Sequence, residues 1–312
     1  MRRGWYSKSM ATVGTAPEAL APARTEASAY LGLTTATLAW AFAFIIGKLI
    51  LTGMTPLAVA VWRYVFAGLV LAPFVLRDAS LRKVRTVVAP LAVMTIAGGV
   101  FYPWLFLGAL AETSATNTSL LIALNPAFTV LFAPFVGEAL GGRKIAGFAV
   151  AFAGAVVVIT RGDLALLNGL GFARGDLMAV GAAVVWAIYN LASRRVVGIL
   201  SPTVTNCVVF AISAAALFVV SLPEAPVAQL ASASATLLVG IVTMALISSV
   251  IAGQLFLSGV RAIGVSRAVV FIYLVPVLTA VLAALALGEE LGWAQAAGGC
   301  AVLAGVAVTS RS

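Results

Sequence analysis

Ten predominantly apolar runs follow one another along this chain, at about 30–51, 57–76, 87–107, 115–136, 144–160, 176–193, 202–222, 235–257, 268–287 and 293–309, with only short loops between them. A run of about 20 such residues crosses the roughly 30 Å hydrocarbon layer of a bilayer as a helix, because a helix satisfies its backbone polar groups without water. Hydrophobic residues make up 62% of the chain and charged ones 9%, against roughly 45–50% and 25% in soluble domains. The sequence therefore predicts an all-α integral membrane protein with ten transmembrane helices, and the lipid bilayer is its first expected partner.

Residues 1–29 stand apart from these runs. They are rich in Ala, Thr, Ser and Pro, carry Arg2, Arg3, Lys8 and Arg24, and show no apolar periodicity, so a disordered cytoplasmic tail is expected. A secretory signal would place an apolar run directly behind the basic residues, whereas the first run starts near Tyr30. With the N-terminus inside, 15 of the 19 Lys and Arg residues fall on cytoplasmic segments, and only Arg161 and Arg174 fall on outer loops. That asymmetry satisfies the positive-inside rule and puts both termini on the cytoplasmic side of a bacterial-type inner membrane. The net charge of +9 is then explained by loops facing anionic headgroups, without nucleic acid.

The chain repeats itself. Trp40, Lys48 and Thr55-Pro56 match Trp186, Arg194 and Ser201-Pro202 at a separation of 146 residues. Leu124, Pro126 and Thr129 match Leu274, Pro276 and Thr279 at 150, and Gly137-Glu138, Leu140-Gly141, Gly147 and Gly154 match Gly288-Glu289, Leu291-Gly292, Gly298 and Gly305 at 151. The repeats run from 30 to 161 and from 174 to 311, with five spans each. An odd number of spans turns the second repeat upside down relative to the first, and inverted repeats favour a solute site between the halves near the midplane.

The segment from Leu38-Ala39-Trp40-Ala41-Phe42 through Lys48, followed by Thr55-Pro56 and Trp62-Arg63-Tyr64, resembles the opening of the drug/metabolite transporter superfamily, specifically its EamA-type ten-helix exporters. Ala109-Leu110 through Thr113-Ser114-Ala115, then Leu124, Pro126 and Gly137-Glu138, resemble that family's fourth helix, and residues 257–309 its C-terminal counterpart. The resemblance covers about residues 30–311. It implies two inverted repeats around a central cavity, and a secondary transporter exporting small organic metabolites, often amino acids or related compounds. Broad drug export and metabolite import are the alternatives within transport. A membrane-embedded lipid-modifying enzyme or scaffold is the alternative from another class. The sequence does not set the oligomeric state, and a monomer is compatible with it.

Candidate cavity residues are those that an apolar span has little reason to carry. Trp40 and Phe44 lie one turn apart on the first span, Tyr102 and Trp104 flank Pro103 on the third, and Trp186, Tyr189 and Asn190 share a face of the sixth. Trp40 and Trp186 fall near mid-span, although membrane tryptophans concentrate at the interfaces. Pro126 and Pro276 remove helical hydrogen bonds at depth, and an amide such as the neighbouring Asn125 is costly there without partners or water. Gln254 lies deep in the eighth span, and Tyr273 precedes Pro276 by less than a turn. Arg63 either meets a substrate carboxylate or snorkels to the outer headgroups. Lys48 reads as structural, Asn117 as an interhelical hydrogen bonder, and Asn206 as interfacial. Packing between helices is the competing reading for each aromatic singly. As a set they favour an organic solute with apolar surface over a bare ion.

What is missing also constrains function. All ten acidic residues fall in the tail, loops or helix ends, and the chain has no histidine. A mid-membrane relay of the kind that proton-coupled carriers use therefore has no evident carboxylate, and facilitated export remains open. Without histidine there is no Ser-His dyad and no His-ligated metal, no acidic cluster is spaced for Mg²⁺, and Cys207 and Cys300 lie on separate spans. No P-loop and no cofactor motif occur. Gly147, Gly154, Gly298 and Gly305 read as packing seams that let helix backbones approach closely. Glu138 and Glu289 are expected to anchor short turns at corresponding helix ends.

Overall fold

The computed structural model describes residues 23–136, 141–163 and 173–310, and among them there are helices, turns and short connections but no strand. Helix α1 spans Ala23–Ile50 and α2 Pro56–Val75. A 3₁₀ segment, Ala79–Val87, leads into α3, which is Val88–Met94, a π-helical stretch Thr95–Phe101, and Tyr102–Glu112. Helix α4 is broken into Ala115–Ile122 and Asn125–Leu131. Then come α5 (Gly142–Thr160), α6 (Arg174–Val197) and α7 (Pro202–Ser221). Helix α8 repeats the plan of α3 as Ala235–Met244, a π-helical stretch Ala245–Ile251, and Ala252–Ile263. Helix α9 is Val265–Ala268, a 3₁₀ turn Val269–Tyr273, and Leu274–Leu287, and α10 is Trp293–Ser310.

Among the described residues, seven helical stretches are long and apolar enough to cross a membrane: Glu26–Ile50, Pro56–Val75, Ala79–Glu112, Arg174–Val197, Pro202–Glu224, Ala235–Ile263 and Val269–Leu287. Ala115–Leu131 and Ile145–Thr160 are shorter apolar helices. Large apolar side chains such as Leu69, Phe74, Val219, Val239 and Leu285 face outward. That arrangement is unfavourable in water and appropriate against lipid.

The first helix begins at Ala23, so the last part of the expected disordered tail is instead ordered. Its Ala, Arg and Glu residues are good helix formers, and Glu26 pairs with Arg267 at 3.5 Å. Residues 1–22 of the expected tail lie outside the described residues, as does the Gly137-Glu138 pair. Its counterpart Glu289 does anchor a helix end, that of α4. The carboxylate accepts from Ala115 N (2.7 Å), Thr116 N (3.0 Å) and Thr116 Oγ1 (2.7 Å), satisfying amides that a helix N-terminus leaves free.

The two π-helical stretches lie 150 residues apart, as do their closing bonds. The N–H of Tyr102 reaches Ala97 O, and that of Ala252 reaches Ile247 O. In α3 the following residue is Pro103, which has no N–H to continue the α-helical ladder. Such bulges open a helix locally and recur at functional sites.

Helices α2 and α7, and likewise α5 and α10, pack against one another and run antiparallel. At one end of α2 the Thr55 N-cap binds beyond α7, its amide donating to Gln229 Oε1 at 2.9 Å. At the other end the Ser201 N-cap of α7 binds beyond α2, its hydroxyl donating to Asp78 Oδ2. Hydrogen bonds from the Ser201 hydroxyl and from Ser80 hold the Asp78 carboxyl below the usual carboxylate range. Helices α5 and α10 make the most extensive pairing, with Gly154 against Gly298 and Gly305 against Gly147. The remaining large contacts come in corresponding sets, α3 with α6 and α8 with α1, then α4 with α6 and α9 with α1.

Lys48 is structural, as its position suggested. Its Nζ donates to Leu110 O at 2.6 Å and Thr113 O at 2.8 Å, capping carbonyls that the end of α3 leaves unbonded. Hydrogen bonds to charged groups are worth about 1.5–3 kcal/mol each, so Lys48→Met is expected to lower the thermal unfolding midpoint in detergent. An unchanged midpoint would remove this cap from the list of stabilising contacts.

Candidate solute cavity

Where the π-helical stretches loosen α3 and α8, the bundle forms a partly open cavity. Its walls are largely aromatic. Trp186 sits at the centre of a cluster, 4.5 Å from the ring of Tyr102, 4.7 Å from Tyr189, and edge-on to Trp40 at 5.9 Å. Phe44 meets Phe106 at 5.0 Å, and Tyr64 stacks on Phe210 at 4.8 Å. Trp40 is fixed from the opposite half, since its Nε1 donates to Ser248 O, a carbonyl of the second π stretch, at 3.1 Å. Both Gly98 and Gly99 are needed on the first. A Cβ on Gly98 would press into the Tyr189 ring, with Cγ at 2.8 Å, and one on Gly99 would collide with Ser213.

Matching positions of the two halves line this space. Trp40 meets its counterpart Trp186, and Phe106 and Phe256, like Ile122 and Ile272, are matched pairs that both belong to the lining. The polar groups break the symmetry. Arg63 corresponds to Val209, Tyr64 to Phe210, and Asn125 to Val275. The first half thus supplies a cation, a phenol and an amide where the second supplies apolar surface. Arg63 is 5% exposed, so it does not snorkel to the headgroups. Its guanidinium lies 4.7 Å from the Tyr64 ring centroid, and its Nε has no hydrogen-bond partner. Among the described residues no carboxylate lines the cavity.

Of the residues singled out from sequence, Trp40, Phe44, Arg63, Tyr102, Asn125, Trp186 and Tyr189 line the cavity together. Asn190 stands one layer behind, its Nδ2 donating to Asn125 Oδ1 at 3.1 Å. Gln254 also acts from behind, donating to Thr203 Oγ1 and accepting from Asn206 Nδ2. Asn206 itself is not interfacial but buried and in the lining. Pro126 and Pro276 are buried outside the lining, where their neighbours Asn125 and Val275 take the facing positions. Tyr273 yields its place to Ile272. Trp104 is 40% exposed and packs beside Phe101 on the outer face, because two residues along a helix turn the side chain by about 200°. Tyr64, Phe106, Ser248, Ser249 and Phe256 were not foreseen. Phe106, one helical turn beyond Tyr102, and Phe256, 150 residues further on, could have been found from helical spacing followed by the repeat separation.

One carboxylate departs from expectation in its burial. Asp176 does sit at a helix end, the first turn of α6, yet it is 1% exposed, beside Thr113 and Asn117. Its Oδ1 and the Asn117 Oδ1 have no hydrogen-bond partner, so the interhelical role expected of Asn117 is only partly fulfilled. Ten residues separate Asp176 from Trp186, about 15 Å along a helix, which keeps it out of the cavity.

Apolar helices around an aromatic chamber, with one buried cation among its described lining residues, fit a multi-pass membrane transport protein. Comparison with known proteins agrees and narrows the class. The chain belongs to the EamA-like transporter family, whose profile matches residues 27–160 and again 173–311. An uncharacterized transporter, YyaM, of Bacillus subtilis is 29% identical over 82% of this chain and 85% of its own. A probable terminal-alkyne amino-acid exporter of Streptantibioticus cattleyicolor is 31% identical over 63% of this chain and 64% of its own. The aromatic amino acid exporter YddG of Ancylobacter novellus is 36% identical over a shorter stretch, 31% of this chain and 35% of its own.

Proposed function

We propose that this chain is a secondary transporter that exports small organic metabolites of amino-acid type across the inner membrane by alternating access. Its ten helices form two inverted five-helix repeats, with both termini in the cytoplasm. Antiparallel packing of α2 on α7 and of α5 on α10, together with π-helical stretches at matching positions, supports the inversion. The carrying observation is the cavity itself, walled by aromatics of both halves, with the one cation of its described lining, Arg63, supplied by the first. A two-state rocking of the halves around such a chamber exposes it to either side in turn. The names of two relatives as amino-acid exporters support the same solute class.

Purified protein in liposomes tests this reading. Vesicles loaded with labelled phenylalanine, leucine and a panel of other amino acids are expected to empty faster than protein-free vesicles. Equal release across the whole panel would overturn it.

A further inference from the structure

We propose that the cavity recognises a solute by its carboxylate, held by Arg63, and does not require an amino group. The substrate class is then small organic carboxylates with an aromatic or aliphatic body, of which amino acids are one member. The inference rests on the cavity being the transport site, and it concerns which end of the solute that site reads.

Its first support is the state of the two cations within the membrane body. Lys48 is satisfied by two carbonyls. Arg63 is more deeply buried, has a free Nε, and among the described residues has no acidic partner. A buried charge without a counter-charge is strongly unfavourable, and the space that its guanidinium faces is the cavity. An arriving carboxylate supplies the missing anion, in the paired geometry that a guanidinium offers and an ammonium does not.

The second support is the supply of acceptors. Gly98 O accepts from the Tyr64 hydroxyl at 3.4 Å, Ser248 O from Trp40 Nε1, and Asn125 Oδ1 from Asn190. Each of these oxygens on the lining already accepts one bond, and all three are neutral, as is the unpartnered Asn190 Oδ1 behind them. With no carboxylate in the lining, an ammonium meets only neutral side chains such as Asn206 and Ser249 and the faces of aromatic rings. Among the described residues the lining therefore offers a cationic donor and no anionic acceptor, so the charge on an acid is matched there and the charge on an amine is not.

Three probes of one shape separate the two ends: phenylalanine, 3-phenylpropionate with the acid alone, and phenethylamine with the amine alone. Each is titrated into the purified full chain while tryptophan fluorescence is followed, Trp40 and Trp186 lying in the cavity wall. Phenylalanine and 3-phenylpropionate are expected to bind comparably and phenethylamine at least about tenfold more weakly. Arg63→Met is expected to weaken the two acids by about tenfold or more and leave the amine unchanged, and Arg63→Lys to restore part of the loss while matching the Arg63→Met elution profile. Acid binding that stays within about twofold in Arg63→Met, or amine binding as tight as that of the acids, overturns the proposal. Flux of the same probes in liposomes separates the two readings. Arg63-dependent acid binding without flux of any probe overturns transport and supports the recognition, whereas flux of phenylalanine and phenethylamine alike, indifferent to Arg63, does the reverse.

Discussion

Gly305→Ala is expected to lower the unfolding midpoint of the detergent-solubilised protein by an amount out of proportion to one methyl group. Built onto the backbone, a Cβ at Gly305 meets Gly147 O at 2.6 Å and also collides with the backbone of Ala151. The same holds along the seam. At Gly154 the new atom meets Gly298 O at 2.6 Å and Val302 N at 2.7 Å, and at Gly298 it meets Gly154 O at 2.7 Å. These neighbours are backbone atoms inside helices, which cannot rotate aside as a side chain does. Helices α5 and α10 must therefore part, and contact along the most extensive helix pairing in the bundle is lost. Overpacking of a close-packed interior costs about 1–3 kcal/mol even where side chains can yield, so the upper end of that range is the expected minimum here. Gly68→Ala provides the contrast. Beyond the local backbone of its own helix no atom lies within 4 Å of its added Cβ, and Ala is favoured over Gly in a helix by about 1 kcal/mol. The two substitutions are expected to move the midpoint in opposite directions. Midpoints that move together would show that the glycine seam does not hold the two helices.

The seam was readable because glycine has so few reasons to recur at repeat-matched sites in apolar helices. Much else was not. Hydropathy counts apolar residues and runs straight through a turn, so the run 115–136 conceals the break at Ala123–Leu124, after which Asn125-Pro126 starts a new helix. The π-helical stretches left no mark in composition, for Thr95–Phe101 and Ala245–Ile251 share little beyond their spacing and a pair of small residues, Gly98-Gly99 against Ser248-Ser249. The cavity was legible only on its polar and aromatic side. Arg63, Asn125, Trp40 and Trp186 stand out within apolar runs. Ile122, Val209, Phe256 and Val275 do not, because an apolar residue facing the cavity carries the same signature as one facing lipid. Flanking positions misled where direction mattered, since Tyr102 and Trp104 border the same proline but point to opposite sides of α3. Asp176 shows the converse limit: its place at a helix end was plain, whereas its burial depends on how α6 packs against α3 and α4.

Trp186→Ala is expected to reduce phenylalanine efflux by at least about tenfold while the protein remains folded. Tenfold corresponds to about 1.4 kcal/mol. Trp186 touches four aromatic partners, Tyr102 at 4.5 Å, Tyr189 at 4.7 Å, Trp40 at 5.9 Å and Phe256 at 6.3 Å. Each aromatic pair is worth about 0.5–1.5 kcal/mol beyond burial, so losing even two of them is sufficient if they shape the wall that the solute meets. A fully buried Trp→Ala costs about 3–5 kcal/mol of stability. Trp186 is only half-buried and borders empty space, which puts the cost below that range. Trp186→Phe retains a ring between Tyr102 and Tyr189 and is expected to keep most of the flux. Efflux from liposomes, normalised to monodisperse protein, makes the comparison. If Trp186→Ala carries phenylalanine within about twofold of the parent rate, the aromatic cluster belongs to packing alone and the solute path lies elsewhere in the bundle. If Trp186→Phe fails together with Trp186→Ala, the indole itself is what the path requires, and the pairing of Trp40 with Trp186 across the two halves becomes the element that the solute must pass.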